Sequence, residues 1–442
     1  MTRDDHARLG FATRQLHAGD RSPGPHRPRA TPIYLTAGFE FDDFDQAHAR
    51  FAGTDQGFSY TRVGNPTNEA AEQRIADLES GVGALLLGSG QAAVATTVLA
   101  LVSAGDHVLA SSSIYEGTRE LLRDDLARQG VAVDFVEDPN DAAAWDAAIR
   151  QNTRLVFAES IPNPKNDVLD VAALAAVAHR HGVPLVVDNT LATPYLLRPL
   201  EHGADIVVHS ASKFLAGHGT VLGGVIVDGG TFPWGEHPDA YPQLARDRGL
   251  DGLTFAERSP RTAFLDFARR VAMRYGPVPS PLNAFLIIQG IETLSLRVAR
   301  QSATALQLAT WLERHPGVES VDYSGLPSSP HHAIAARYLP LGQGSVFAVT
   351  IRGGREAAQI FTDALRLFTR MTHLGDVRSL VLHPATTTHV LRDVEQLAAS
   401  GIGPGLLRLS IGLEDLDDLV ADLDRAFAAV AAADLLSTLG VS

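Results

Sequence analysis

The chain has no cysteine in its 442 residues. Disulfides, thiolate metal sites and cysteine nucleophiles are therefore excluded. No HExxH pattern occurs, so no metal site is expected; His218 and the His331–His332 pair are expected at the surface or in packing. Neither GxGxxG nor GxxxxGK[ST] is present, which removes the dinucleotide-binding and P-loop fingerprints. Basic residues are outnumbered, 37 Lys and Arg against 51 Asp and Glu, for a formal charge of −14. A net acidic chain gains no general electrostatic attraction to nucleic acid or to an anionic membrane, and neither is expected as a partner. No uninterrupted apolar run is long enough to span a bilayer, and MTRDDHARLG lacks the apolar core of a signal peptide. The expected compartment is the cytoplasm.

What remains is ordinary globular composition, 45% hydrophobic and 20% charged, with room for two or three domains. Residues 1–65 look irregular, and the Pro- and Arg-rich RSPGPHRPRATP is expected to be extended, as an arm. Asn65 can cap a helix with Pro66 in its first position, running to a stop near Gly81. From there short apolar runs alternate with helical stretches. The runs are Ala84–Leu87, Val108–Ala110, Leu155–Ala158, Leu185–Val187, Ile206–Val208 and Val225–Val227, nearly uniform in apolar character as doubly buried strands should be. The pattern predicts an α/β domain over 66–280 with a mainly parallel sheet covered by helices on both faces. Residues 231–281 show no clear period and are expected to be a surface insertion. A long helical region then leads into a smaller α+β domain over 281–442, with strands expected at Val346–Ile351, Leu380–Leu382 and Leu406–Ile411 and helices at Arg355–Phe368 and Glu414–Ala432.

In an open α/β sheet, ligands bind beyond the carboxyl ends of the strands. Five strand ends here carry GSGQ, SSSIYEGT, ESIPNP, DNT and HSASK. A glycine-rich turn entering a helix, as at Gly88, Gly90 and Gln91, offers backbone N–H groups to a phosphate, although taken alone it is more often a tight turn. Asp188 at a strand end suits a helix cap, an ion pair, a metal or a protonated pyridine nitrogen. Lys213 follows a buried strand between hydroxyls and glycines. Desolvation would lower its pKa and make it an amine nucleophile.

The segment SASKFLAGHG resembles the lysine motif of the Cys/Met-metabolism PLP-dependent enzymes, in particular the O-acetylhomoserine sulfhydrylase branch. LHAG, TPIYLTAGFEF, YTRVGNPT, LGSGQAA, VVDNTLATPYLLRPLEHGADIVVHS, NAFLIIQGIETLSLR, LGDVRSLVLHPATTTH and LRLSIGLEDLDDL fit the same family, so the resemblance covers nearly the whole chain. GHGTVLGGVIVDGGTFPW, with the stretch after it, favours that branch over the shorter cystathionine synthases and lyases.

The resemblance implies the type I fold of PLP-dependent transferases and a pyridoxal 5'-phosphate held as a Schiff base on Lys213, which would also shuttle protons. It implies that Asp188 pairs with the pyridinium nitrogen and that Tyr115 stacks on the ring and assists proton transfer. Gly90, Gln91, Ser210 and Ser212 would hold the phosphate, and Tyr60 and Arg62 would reach the phosphate of a neighbouring subunit. Asn163 and Arg408 would bind the substrate carboxylate, with Ser379 nearby through its backbone. The implied assembly is a tetramer built from two dimers. The implied reaction is γ-replacement on an O-acylated homoserine by sulfide or a small thiol. A cystathionine γ-synthase, a γ-lyase and a non-catalytic PLP-binding homologue are the alternatives. Three positions depart from the family's habit: Ser212 where Thr commonly precedes the lysine, Pro162 where Gly precedes Asn-Pro, and a longer arm before Thr31.

Overall fold

The computed structural model describes residues 9–19, 28–249 and 251–438. Most of the expected extended segment, residues 21–27, lies outside them. The chain builds two sheets. The larger has seven strands in the order β1-β7-β6-β5-β4-β2-β3, and the smaller has five in the order β10-β11-β12-β9-β8.

The large sheet consists of β1 (Gly83–Leu87), β2 (His107–Ser111), β3 (Ala132–Val136), β4 (Thr153–Glu159), β5 (Leu185–Asp188), β6 (Ile206–His209) and β7 (Gly224–Asp228). β3, β2, β4, β5 and β6 run parallel, and β7 is antiparallel to both β6 and β1. Two antiparallel pairings in succession restore direction, so β1 ends at the same edge as β2, β4, β5 and β6. The expected mainly parallel α/β sheet is what forms, and β7 is its one reversal. β3 was not expected. It lies at the sheet's edge with only Val136 fully buried, so it lacks the continuous apolar run of its neighbours.

Local signals start the helices. Asn65 accepts from the Thr67 N–H ahead of Pro66–Leu78, Ser89 accepts from Ala92 ahead of Gly90–Leu101, and Asp170 accepts from Ala173 ahead of Val171–Arg180. Two expectations need correction. Residues 1–65 are not uniformly irregular: helices form at Phe11–His17 and at Phe44–Ala52, the second started by Asp43, which accepts from Gln46, and ended by left-handed Gly53. Residues 231–281 are no surface insertion either. Trp234, Tyr241, Leu244 and Phe264 are at most 2% exposed and pack with Val186, Ile206 and Ile226 against one face of the large sheet. Burying each such side chain contributes about 2–3 kcal/mol, enough to hold a segment without regular period.

The small sheet comprises β8 (Val318–Asp322), β9 (Val346–Ile351), β10 (Thr369–Arg370), β11 (Leu380–Leu382) and β12 (Leu406–Ser410). Its helices run over Gly354–Ala364 and Leu416–Thr438. The helix Leu294–Glu313 serves both cores: Leu294 and Val298 pack beside the large sheet, Ala305, Leu308 and Leu312 beside the small one. Among the described residues no single helix is long and apolar enough to cross a membrane.

Candidate active site

The shared edge of β1, β4, β5 and β6 opens into a cavity of about 510 Å³, a size suited to a cofactor with a small substrate. The sequence-selected residues Gly90, Gln91, Tyr115, Asn163, Asp188, Ser210, Ser212, Lys213 and Arg408 all line it. Residues more than 300 positions apart thus converge on one space.

Lys213 sits in the turn after β6. That turn is tied down by Arg297, whose guanidinium donates to the carbonyls of Phe214 at 2.9 Å and Gly290 at 2.6 Å. Burial, and then the nearby Arg408 guanidinium, hold the Lys213 amine down at about 8, so about a tenth is the free base at pH 7, far more than for an ordinary lysine. Its Nζ lies 3.2 Å from His373 Nδ1.

Asp188 ends β5 in register with Glu159 of β4, so the buried Glu159 carboxylate and the partly buried Asp188 carboxylate stand side by side. Burial raises both, Glu159 well above its ordinary range with Asp188 adding to the effect. The Thr190 N–H donates to Asp188 Oδ1 at 2.9 Å and its hydroxyl also favours the Asp188 anion, whereas Glu159 accepts from the Tyr115 N–H at 2.6 Å. Burial thus disfavours the Glu159 anion more strongly than that of Asp188, whose carboxylate also lines the cavity. Tyr115 lines the cavity with its side chain half exposed, which leaves a ring face for stacking.

The first turn of Gly90–Leu101 faces the cavity beside Ser210. A Cβ on Gly90 would stand 2.7 Å from Ser210 Cβ, so this close approach requires glycine. Backbone N–H groups of that turn and the hydroxyl of Ser210 form a donor set for an anion, with Ser212 beside them on the cavity wall. The Ser212 hydroxyl also exchanges hydrogen bonds with Gly223, accepting from its N–H at 3.0 Å.

Arg408 is 3% exposed, and burial lowers its pKa to about 10. It donates to the carbonyls of Thr372 at 3.1 Å and His373 at 2.9 Å and to Asn163 Oδ1 at 3.3 Å. Among the described residues no carboxylate pairs with it, and its Nε is buried without a partner. The internal ion pair that a charged residue in LLRLSIG could imply is absent. A buried guanidinium without a counter-ion costs several kcal/mol, which an incoming carboxylate would offset. Pro162 leaves the neighbouring loop able to serve this site: its carbonyl accepts from the Asn166 N–H at 3.1 Å, and Asn163 reaches Arg408.

Three expected site residues lie outside the cavity. Ser379 is turned away, with its N–H and hydroxyl both donated to Glu414 at 2.8 Å. Tyr60 and Arg62 are at the surface, the guanidinium 5.5 Å from the tyrosine ring centroid. Sequence reasoning in turn missed His373, Glu159, Thr190 and Arg297. Glu159 and Thr190 stand inside the strand-end sets ESIPNP and DNT and could have been found there; His373 and Arg297 acquire meaning only through contacts across the fold.

The residues present fit pyridoxal 5'-phosphate. A cradle of N–H and hydroxyl donors suits the phosphate, a buried anion suits the ring nitrogen, and an amine held at about 8 suits the aldehyde. Comparison with known proteins agrees. The model of the Cys/Met metabolism PLP-dependent enzyme family matches residues 12–428. The O-acetyl-L-homoserine sulfhydrylase of Corynebacterium glutamicum is 44% identical over 425 residues, 95% of this chain and 97% of that protein. The homocysteine/cysteine synthase of Saccharomyces cerevisiae is 40% identical over 437 residues, 95% of this chain and 98% of that protein. A crystal structure of an O-acetylhomoserine (thiol)-lyase from Campylobacter jejuni, with a pyridoxyl monophosphate on a lysine, superposes with a TM-score of 0.90 at 33% identity, covering 95% of this chain and 99% of that one. The chain belongs to the Cys/Met metabolism PLP-dependent enzymes, and pyridoxal 5'-phosphate is its cofactor.

Proposed function

We propose that this enzyme catalyses γ-replacement on O-acetylhomoserine, joining sulfide or a small thiol to the γ-carbon and releasing acetate, with homocysteine or methionine as product. The observation that carries the reading is the buried Arg408 guanidinium without a counter-ion, in the same cavity as the low-pKa Lys213 amine. It suits an amino acid that presents its carboxylate to a fixed cation while its Cα and Cβ face a base. The 44% identity to the Corynebacterium glutamicum sulfhydrylase over 95% of the chain supports the O-acetylated substrate.

The cofactor, when bound, supplies an electron-accepting ring that acidifies the Cα–H. The chain's own groups do the rest. Arg408 and Asn163 hold the carboxylate. Gly90, Gln91, Ser210 and Ser212 anchor the phosphate. Asp188 would keep the ring nitrogen protonated, and Tyr115 would cover the ring face. Lys213, when free of the cofactor, would take the Cα proton and move a second proton from Cβ, while the partly enclosed cavity would limit water at the γ-carbon.

Tyr60 and Arg62 belong, in this reading, to a neighbouring subunit's phosphate site, in a tetramer of two dimers in the cytoplasm. Their position outside their own cavity supports this. So do the apolar side chains of Leu35, Phe44 and Phe51 in the same arm, 74%, 86% and 81% exposed.

The test is a donor and acceptor panel: O-acetyl- and O-succinylhomoserine, each with sulfide, methanethiol, cysteine or no acceptor. Thioether or thiol formation from the acetyl ester with sulfide or methanethiol is expected. Preferential use of cysteine, or ketone and ammonia release in every arm, would overturn the assignment in favour of cystathionine synthesis or elimination.

A further inference from the structure

His373 touches the reactive amine, yet no role described so far uses its ring. It lies in the connection between β10 and β11, and that connection is held from several sides. Arg408 donates to the carbonyls of Thr372 and His373, the Gly375 N–H donates to Ser410 Oγ at 3.0 Å, and Gln301 donates to the Asp376 carbonyl at 2.8 Å. A Cβ on Gly375 would come within 2.8 Å of the Phe214 ring, so the loop is seated directly against the residue after Lys213. The imidazole is placed by the fold, and its Nδ1 stands 3.2 Å from Lys213 Nζ. Nε2 is buried and without a partner among the described residues.

The charged and titratable groups around the ring are Lys213, Asp376, Arg408 and Arg378. Burial, followed by the charge on Lys213, keeps the imidazole neutral to about pH 4, with Asp376 opposing and the two arginines adding to the effect. A neutral ring has one N–H. With that proton on Nε2, Nδ1 is an acceptor facing the hydrogens of Lys213.

We propose that His373 is a positioning residue for Lys213: its unprotonated Nδ1 accepts a hydrogen bond from the amine whenever that amine is free of the cofactor, aiming it into the cavity and stabilising its ammonium form. The reasoning rests on Lys213 being the reactive amine of a γ-replacement. Burial and Arg408 both weaken Lys213 as a base. A base that must collect protons from two carbons in one turnover needs something that favours its protonated state. His373 is the one side chain among the described residues placed within hydrogen-bond distance of Nζ to do this.

The experiment uses apoprotein, so that it reads the amine and not the turnover. The rate at which Lys213 forms its Schiff base with added pyridoxal 5'-phosphate is followed by absorbance from pH 6 to 10 in wild type, His373→Leu, His373→Ala and His373→Asn. Losing a charge-assisted acceptor should lower the apparent pKa of the amine by about one to two units in the Leu and Ala variants. The Asn variant, which keeps an acceptor near the Nδ1 position, should restore it. In the holoenzymes the Leu variant should lose about tenfold or more in kcat with KM for the amino acid changed by less than about threefold, and Asn should recover most of the loss. Unchanged apparent pKa in both Leu and Ala, or an Asn variant no better than they are, would overturn the proposal. Failure of the parent reading is distinguishable, since the wild-type holoenzyme would then give no γ-replacement product in the donor and acceptor panel, while the apoprotein titration would still read the amine.

Discussion

Replacing Arg408 with Met removes the cavity's fixed cation while keeping much of the side-chain volume. The guanidinium makes three hydrogen bonds, to Thr372, His373 and Asn163, and has no acidic partner among the described residues. In the substrate-free protein, losing those bonds is opposed by relief of a desolvation penalty of several kcal/mol, so the unfolding free energy should shift by no more than about 2 kcal/mol in either direction. Catalysis should respond far more strongly. Stripping one partner from a buried guanidinium–carboxylate contact costs about 2–5 kcal/mol, so kcat/KM for the amino-acid substrate should fall by about 30- to 5,000-fold. A substrate analogue lacking the carboxylate, an O-acetylated amino alcohol, should lose less than about tenfold, because it never made the contact. The variant should also relieve the charge that helps depress Lys213, so the pH limb for Schiff-base formation should move above about 8. Steady-state kinetics on both substrates, with thermal unfolding of the apoprotein, measure all of this. A variant within fivefold of wild type on the amino acid, or equally impaired on both substrates, would refute the reasoning.

Asp188→Asn should leave the ring nitrogen without its counter-ion, lowering kcat by about 100-fold or more and speeding cofactor loss on dialysis, read from the absorbance of the bound ring. Asp228 lies at the end of β7 and is raised by burial from its ordinary 3.8 to about 7. Because the native state then holds a proton that the unfolded chain has lost, this residue's contribution to stability is complete below pH 3.8 and disappears as pH rises through about 7. Asp228→Asn should flatten that decline, by up to about 4 kcal/mol at pH 8, in denaturant midpoints measured from pH 4 to 8. Arg392 ties the segment carrying Thr388 and His389 to Glu116 beside Tyr115, through an ion pair whose side chains are 12% and 11% exposed. Arg392→Met should raise amide exchange in residues 386–401 by about tenfold and raise KM more than it lowers kcat.

The parts of this protein legible in the sequence are those whose signals are local. β4, β5 and β6 are continuous apolar runs because both faces of the sheet are covered, and each is followed by its polar cavity residues. Asn65 and Ser89 announce helices by the chemistry of capping. β3 and β8 lie at sheet edges with part-exposed faces, so their patterns are diluted by residues such as Asp134 and Glu319. β10 is two residues long and has no period at all. The aromatic anchors Trp234, Tyr241 and Phe264 hold their segment by packing, without regular spacing, which is why that stretch looked like surface. Lys213 and Asp188 stand out because each puts a charge next to apolar sequence, whereas Arg408 enters through the family resemblance. His373 precedes a motif without belonging to its chemistry, and its proximity to Lys213 arises from loop anchoring by Arg408 and Ser410 across the small sheet. Ser379 shows the converse: a position suggested by motif alone is committed to Glu414 in the fold.

The central claim is that the Lys213 amine carries the cofactor. Borohydride reduction of the yellow holoenzyme, followed by proteolysis and peptide mapping by mass spectrometry, tests it most directly. The account predicts bleaching and a single pyridoxyl label on the peptide containing SASKFLAGHG. A label on any other lysine, or a protein that takes up none, would contradict it.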